Sequence, residues 1–287
     1  MKQEIINLYD EYTHKPLSRQ EFLGRLSKLT GGMTAALAVL PSLEGNYAQA
    51  QTTAEDLVTE YITYPAVSGT MRAYVAYPAA GHAKAKKSYP AVVVIHENRG
   101  LNAHIEDVAR RAAQAGFLAI APNAISVLPD KPANEDEARA LFPKLDPQES
   151  ITNFAKAFDY LSTRKDTTGA FGCVGFCWGG AMANNLAVQV PTLKAAVAFY
   201  GRQPVTSEVP KIQAAVQLHY GGLDERVNEG AKAYVDALKA HGKTFEMYMY
   251  EGVNHAFHND TSAARYDEKA ATLAWRRTID FFEKYVI

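Results

Sequence analysis

The sequence is poor in cysteine, in net charge and in long apolar runs, and each shortage disfavours a class of protein. Only two cysteines occur in 287 residues, which gives no basis for a fold held by disulfides. The formal net charge at pH 7 is -1, whereas strong nucleic-acid binding needs a cationic surface. The apolar stretch at residues 33–40 is shorter than the roughly 20 residues that a membrane-spanning helix requires. We therefore expect neither a nucleic-acid partner nor a membrane span.

What the sequence does contain is a regular alternation of strand and helix patterns. Its hydrophobic fraction of 47% is enough for a single large α/β core. Alternation of this kind predicts a mostly parallel central sheet flanked by helices on both faces, opened by an antiparallel pair at 61–64 and 71–77. Further strands are predicted at 91–95, 117–121, 170–174, 195–199, 212–218 and 244–250, and helices at 103–115, 150–161, 181–190, 229–240 and 264–285.

Two parts of the chain depart from that alternation. Residues 125–147 hold several prolines and many charges, which is typical of an excursion over the active face of a sheet, where it would shape the pocket. The first fifty residues lie outside the α/β pattern altogether. We therefore divide the chain into an N-terminal arm, residues 1–50, and a catalytic domain, residues 51–287.

The most informative segment is Gly175-Phe176-Cys177-Trp178-Gly179-Gly180, which follows an apolar strand. The glycines two positions before and two positions after Cys177 suit a strained strand-to-helix bend, because such a bend leaves no room for Cβ atoms. The segment predicts a nucleophile elbow with cysteine in place of serine. The alternative is a buried structural cysteine, since cysteine is among the most often buried residue types.

Two further candidates follow Cys177 in the order nucleophile, acid, histidine, which is the order of α/β-hydrolases. Asp224 follows the predicted strand 212–218, and His255 follows the predicted strand 244–250. Both loops would lie at the carboxyl ends of parallel strands, where such sheets gather their functional groups. The chemistry requires the thiol within reach of the imidazole, and the carboxylate on the other ring nitrogen.

At this point the chain resembles the dienelactone hydrolase family, from about Tyr61 to the C-terminus. The resemblance implies an α/β-hydrolase fold and a catalytic triad at Cys177, Asp224 and His255. It also implies that Glu97 interacts with the resting thiol and helps to form the thiolate. Four blocks carry it: His96-Glu97-Asn98-Arg99-Gly100, the elbow, Leu223-Asp224-Glu225-Arg226-Val227 and Asn254-His255-Ala256-Phe257-His258.

The reaction expected from these residues is hydrolysis of an activated ester or lactone through a thioester acyl-enzyme. The fold would stabilise the oxyanion with the backbone N–H groups of Trp178 and Asn98. No cofactor and no metal are expected. The alternatives are a broader carboxylesterase or thioesterase, and a catalytically silent scaffold that serves as a binding module.

The family's lactone enzymes place an arginine four residues after the histidine to hold the substrate carboxylate, whereas Asn259 stands there in this chain. Arg99 or Arg202 could compensate, or the substrate could be a neutral ester. Tyr200 follows a strand onto the same face as Arg202. His96 and His258 could bind substrate, or instead bond backbone and face water, respectively. Cys173 and His219 are expected in the core.

The arm combines Arg19, Arg25 and Lys28 with the apolar stretch 33–40 and the small residues Ala48-Gln49-Ala50. This order resembles an export signal, which favours an exported or periplasmic location over a cytoplasmic one. One arginine of a twin-arginine signal is missing at Ser18-Arg19-Gln20. The alternative is a retained amphipathic arm that packs on the body or on a partner subunit, which would permit a homo-oligomer.

Overall fold

A computed structural model describes residues 1–46 and 52–287, and its centre is one eight-stranded sheet. The strand order is β1-β2-β4-β3-β5-β6-β7-β8; β1, β2 and β4 pair antiparallel, and every other pairing is parallel. The strands are β1 (Leu57–Pro65), β2 (Thr70–Pro78), β3 (Tyr89–Ile95), β4 (Leu118–Asn123), β5 (Thr167–Phe176), β6 (Ala195–Phe199), β7 (Ala215–Gly221) and β8 (Phe245–Tyr250).

Helices cover both faces of this sheet, and each face has its own apolar core. The core on one face includes α6, α7 and α9, and the core on the other includes α4 and α10. The α/β-hydrolase fold predicted from the sequence is confirmed. The helices are α1 (Gln3–His14), α2 (Arg19–Thr30), α3 (Met33–Leu43), α4 (Ala103–Gln114), α5 (Glu135–Leu141), α6 (Pro147–Thr163), α7 (Trp178–Gln189), α8 (Glu225–Asn228), α9 (Ala231–Ala240) and α10 (Glu268–Tyr285).

The predicted strands and helices of the body are all present, with three differences. Strand β7 begins at Ala215, three residues later than predicted. Helix α10 begins at Glu268 rather than 264, because the Asp267 side chain caps it by accepting the N–H of Ala270. The excursion 125–147 contains α5, whose N-terminus is capped by Asn134.

The N-terminal arm folds as three helices with a small apolar core of their own. Helix α2 begins with a capping box between Ser18 and Glu21, and it ends at Gly31, which adopts the left-handed conformation with φ of +86°. Tyr12 and Phe22 stack at a ring-centroid distance of 4.3 Å. The small residues Ala48-Gln49-Ala50 lie outside the described residues.

The arm packs on the body at the end of the sheet that carries the predicted site residues. The Asn98 side chain donates to the carbonyl of Thr13 at 2.7 Å, and the Tyr12 hydroxyl donates to Asp136 at 2.7 Å. The apolar faces of the arm helices therefore pack within this chain, which leaves a homo-oligomer formed through the arm without support. Within residues 1–46 and 52–287, no helix is long and apolar enough to cross a membrane.

Candidate active site

Strand β5 runs into a sharp bend at Cys177, and α7 begins at the next residue. Cys177 has φ of +55° and ψ of -111°, a strained conformation for a residue with a side chain. A Cβ at Gly175 would lie 1.8 Å from the carbonyl oxygen of Gly179, and a Cβ at Gly179 would lie 2.3 Å from that of Ile95. Only glycine fits at either position, as the sequence argument predicted.

His255 and Asp224 meet above the carboxyl ends of β7 and β8. The Nδ1 atom of His255 lies 2.5 Å from Oδ2 of Asp224, and both side chains are buried. Oδ1 of Asp224 accepts the backbone N–H of Val227 at 3.3 Å, which holds the carboxylate in place. The Nε2 atom of His255 has no hydrogen-bond partner among the described residues, so this nitrogen is left for another group.

A histidine from the arm also reaches the sulfur. Nε2 of His14, in the last turn of α1, lies 3.1 Å from Sγ of Cys177. The His14 ring meets the His255 ring edge-on at a centroid distance of 4.8 Å. One nitrogen of each ring and the sulfur lie within 4.8 Å of one another. The sequence analysis missed His14, because no local motif marks it and only the docking of the arm brings it here.

The charges around the sulfur favour its deprotonated form. Burial would raise the pKa of the Cys177 thiol, but the charges of His14 and His255 and the hydrogen bond with His14 lower it to about 6. Burial would likewise lower the pKa of both imidazoles, yet the neighbouring anions raise the pKa of His14 and raise that of His255 well above its ordinary value. The arrangement supports a thiolate beside protonated imidazole.

The carboxylates behind the two imidazoles stay ionised. Although burial opposes it, the charge of His255 lowers the pKa of Asp224. The charges of His255 and His14 likewise lower the pKa of Asp10 against the effect of burial. Each histidine is thus backed by an anion, which orients the ring and stabilises its charge.

Glu97 lies at the end of β3, where its hydrogen bonds go to two other buried side chains. Oε2 accepts the side-chain N–H of Asn259 at 2.9 Å, and Oε1 accepts the Tyr200 hydroxyl at 3.5 Å. Asn259 therefore holds Glu97 inside the protein, instead of projecting toward a substrate. Its other side-chain atom, Oδ1, accepts from the hydroxyl and the N–H of Thr261.

A cavity of about 790 Å³ opens beside the sulfur. Cys177, Trp178, His255 and Tyr200 line it together with the arm segment 13–18, which forms one wall. The excursion 125–147 also contributes to the lining, through Phe142 among others, so its predicted role in shaping the pocket agrees with this arrangement.

The remaining predicted site residues divide into two groups. Asn98 and Arg202 line the cavity, whereas Arg99 and His258 are absent from its lining. The guanidinium of Arg99 lies 4.0 Å from Asp136, on the lining of a different pocket under the arm. His258 is buried and stacks on Phe176 at 4.9 Å, so the expectations that it would contact substrate or face water do not match the structure.

Three other predicted placements can be compared with the structure directly. Cys173 is buried within β5, where burial raises the pKa of its thiol, and His219 is buried within β7. Both match the expectation of core residues. His96 is also buried: its Nδ1 bonds the carbonyl of Glu97, its Nε2 accepts the N–H of Ala124, and its ring stacks on Trp178. Its role is therefore structural support beneath the elbow.

The start of α7 gives the site a set of available backbone donors. Trp178 is the first helical residue, and the N–H groups of a first turn have no acceptor within their own helix. The positive end of the helix dipole also points toward Cys177. Asn98 lies across the cavity mouth from these donors, at the loop that follows β3. Both residues named for the oxyanion therefore border the cavity.

Sulfur and imidazole nitrogen are also zinc ligands, and His14, Cys177 and His255 are the residues here that could hold such an ion. Two atoms bound to one tetrahedral zinc, with bonds of about 2.3 Å to sulfur and 2.0 Å to nitrogen, are separated by roughly 3.5 Å. The His14–Cys177 distance of 3.1 Å is that of a hydrogen bond instead.

Comparisons with known proteins agree on one family. Residues 71–286 match the model of the "Dienelactone hydrolase family". A "Putative carboxymethylenebutenolidase" of Methylorubrum extorquens is 29% identical over 94% of this chain and 96% of its own length. An Escherichia coli "Putative hydrolase fragment YghX" is 47% identical over 39% of this chain and 97% of the fragment. The crystal structure of a "Putative Dienelactone Hydrolase" from Klebsiella pneumoniae, 27% identical, superposes with a TM-score of 0.71 over 80% of this chain and 99% of its own.

Proposed function

The chain belongs to the dienelactone hydrolase family, and we propose that it cleaves activated esters or lactones with Cys177 as nucleophile and His255 and Asp224 as the other members of a triad. The observation that carries the proposal is the sulfur at the strained elbow, next to an imidazole that is itself bonded to a buried carboxylate at 2.5 Å. This geometry matches what covalent acyl transfer requires.

In the proposed reaction the Cys177 thiolate attacks the carbonyl carbon, and the negative charge moves to the carbonyl oxygen. The backbone N–H groups of Trp178 and Asn98 bind that oxyanion. The carbon–oxygen bond then breaks, and the protonated His255 gives its proton to the departing alcohol or enolate. Neutral His255 next takes a proton from water, the hydroxide attacks the thioester, and the thiolate is expelled with the carboxylic acid formed.

Glu97 is proposed to take part in forming the thiolate, as the family resemblance implies. In the resting structure it is held by Asn259 and Tyr200, so this role requires it to exchange partners when substrate enters. We expect Glu97→Gln to lower kcat/KM and to change its pH profile. An unchanged rate and an unchanged profile would reject the role.

The substrate class follows from the leaving-group demand of sulfur. A thiolate is expelled easily from the tetrahedral intermediate, so enol lactones and aryl esters should react much faster than alkyl esters or amides. Arg202 lines the cavity and Asn259 does not, so any substrate carboxylate would meet Arg202. We propose a small acyl donor and leave its identity to a substrate panel.

The experiment compares a lactone, an aryl ester, an alkyl ester and an acyl thioester with the wild type, Cys177→Ala and His255→Ala. We expect turnover of the first two, its loss in both variants, and an acid limb of kcat/KM near pH 6, because activity rises as the thiol of Cys177 ionises. A preference for acyl thioesters or alkyl esters would favour the broader esterase. Full activity of Cys177→Ala would refute the proposal, and no turnover of any substrate by the wild type would favour the silent scaffold.

A further inference from the structure

We propose that His14 of the N-terminal arm is a second catalytic imidazole, which keeps the Cys177 sulfur as a thiolate in the resting enzyme. The arm would then be a working part of the active site. The inference rests on the proposed function, since it concerns how that nucleophile is activated. Its starting point is the 3.1 Å distance between Nε2 of His14 and Sγ of Cys177.

The last turn of α1 presents the His14 ring in one orientation. Nδ1 lies 2.8 Å from the backbone carbonyl of Asp10 and 3.1 Å from its carboxylate, one helical turn earlier. A proton on Nδ1 satisfies both acceptors, which leaves Nε2 to accept the thiol proton. The pair Asp10–His14 thus repeats the pair Asp224–His255 on another side of the same sulfur.

Contacts with the body fix this turn of the arm in place. Nε of Arg226 in α8 lies 3.3 Å from Oδ2 of Asp10. On the other side, the Asn98 side chain donates to the carbonyl of Thr13. The His14 side chain is only 12% exposed. The arm is therefore held at the loop that follows β3 and at the loop that carries Asp224, and both of these loops border the site.

Two imidazoles can divide the work that one performs in an ordinary triad. His14 takes the thiol proton and remains as the positive partner of the thiolate. His255 is then free to protonate the leaving oxygen and afterwards to deprotonate water. Over the whole cycle the proton on His14 is unchanged, one water is consumed, and one acid and one alcohol are released.

Several charged and titratable groups face the His14–Cys177 pair and would shape its pH dependence. Asp10 comes from α1 itself, while the others come from the body. These are His255 and Asp224, Arg226 of α8, Glu97 after β3, Tyr200 after β6, and the buried Arg265. A substitution at His14 leaves all of them in place, so its effect reports on the imidazole.

The test is alkylation of Cys177 by iodoacetamide in the full-length protein, measured by peptide mass spectrometry between pH 4.5 and 9.5. Thiolate alkylates and thiol does not, so the rate follows the ionisation of the sulfur. We expect a wild-type midpoint near pH 6. In His14→Gln the midpoint should move upward, and the rate at pH 6 should fall roughly tenfold or more, since each unit of upward shift removes about nine tenths of the thiolate.

Two further variants separate a chemical effect from a structural one. Asp10→Asn should shift the midpoint in the same direction, because His14 loses its anion. Arg25→Ala should leave the midpoint unchanged, because it breaks only the exposed pair with Glu11 elsewhere in the arm. If His14→Gln folds poorly, nitrogen-15 NMR of the wild type provides the readout: His14 should be doubly protonated at pH 7 and lose a proton after Cys177 is alkylated.

An unchanged alkylation midpoint in folded His14→Gln, or a singly protonated His14 in the wild type at pH 7, would overturn the inference. Such a result can be told apart from failure of the proposed function. In the first case Cys177→Ala would still abolish ester turnover, whereas in the second Cys177→Ala would remain active.

Discussion

Asn259→Asp tests how Glu97 is held, because it exchanges one donor for an acceptor without changing the size of the side chain. In the structure the Asn259 amide donates to Glu97 over 2.9 Å, and both residues are nearly inaccessible, at 4% and 8% exposure. The variant places two carboxylates at that distance in a buried setting. We expect it to unfold more easily at neutral pH and to regain stability in acid.

The size of the effect follows from this geometry. Two charges about 3 Å apart repel by about 5 kcal/mol at an effective dielectric constant of 20. The folded variant can avoid this by retaining a proton, which costs about 1.4 kcal/mol for each of the roughly three pH units between an ordinary aspartate pKa and pH 7. The loss of unfolding free energy at pH 7 is therefore bounded near 4 kcal/mol, and we expect about 2–4 kcal/mol.

The sign of the pH dependence is also determined. The introduced carboxyl has a folded-state pKa above its unfolded value, so its proton stabilises the fold fully below the unfolded pKa, and this stability is lost as the pH rises through the folded pKa. Near pH 4 the protonated aspartate donates its O–H to Glu97, much as the amide does. The deficit relative to the wild type should then be below about 1 kcal/mol.

Urea unfolding of wild type and variant between pH 4 and 8 measures this difference. The matched control is the double variant Glu97→Gln, Asn259→Asp, which exchanges amide and carboxylate and removes the repulsion. Its stability at pH 7 should return to within about 1 kcal/mol of the wild type. A deficit that is equal at pH 4 and pH 7, or that persists in the double variant, would refute the reasoning.

Three other predictions concern the triad, the arm and the elbow. Asp224→Asn should lower kcat/KM for an aryl ester about 10²- to 10⁴-fold, because His255 loses the anion at 2.5 Å; wild-type activity would argue against the triad. Phe22→Ala removes a fully buried ring from the arm core and should cost about 3–5 kcal/mol there, so limited proteolysis should cleave the arm before the body; unchanged resistance of the arm would contradict this packing. Gly179→Ala should lower the unfolding midpoint markedly, because its Cβ would lie 2.3 Å from the carbonyl of Ile95, whereas Gly81→Ala, with nothing within 4 Å, should not; equal effects of the two would contradict the close approach.

The sequence predicted the fold well because strand and helix patterns in the body are local. The glycines around Cys177 indicated the elbow, and the strand ends before Asp224 and His255 indicated where their loops would meet. In the structure the imidazole and carboxylate are bonded, and the sulfur lies beside them. What these residues do in catalysis remains a prediction.

The rest could not be predicted, because it depends on contacts between distant parts of the chain. His14 lies 163 residues before Cys177, and no spacing rule connects an amphipathic arm with a particular loop of the body. The same applies to Asn259, whose partner Glu97 lies 162 residues away. Position relative to His255 indicated a missing substrate contact, whereas the structure shows a buried support for a carboxylate.

The central claim is that Cys177 carries the acyl group, and the most direct test is the mass of the protein during turnover. Rapid acid quenching of the enzyme with an activated aryl ester, followed by peptide mass spectrometry, should show the acyl mass on Cys177 and its loss in Cys177→Ala. An acyl adduct on Cys173 alone, or turnover with no adduct in both proteins, would contradict the account.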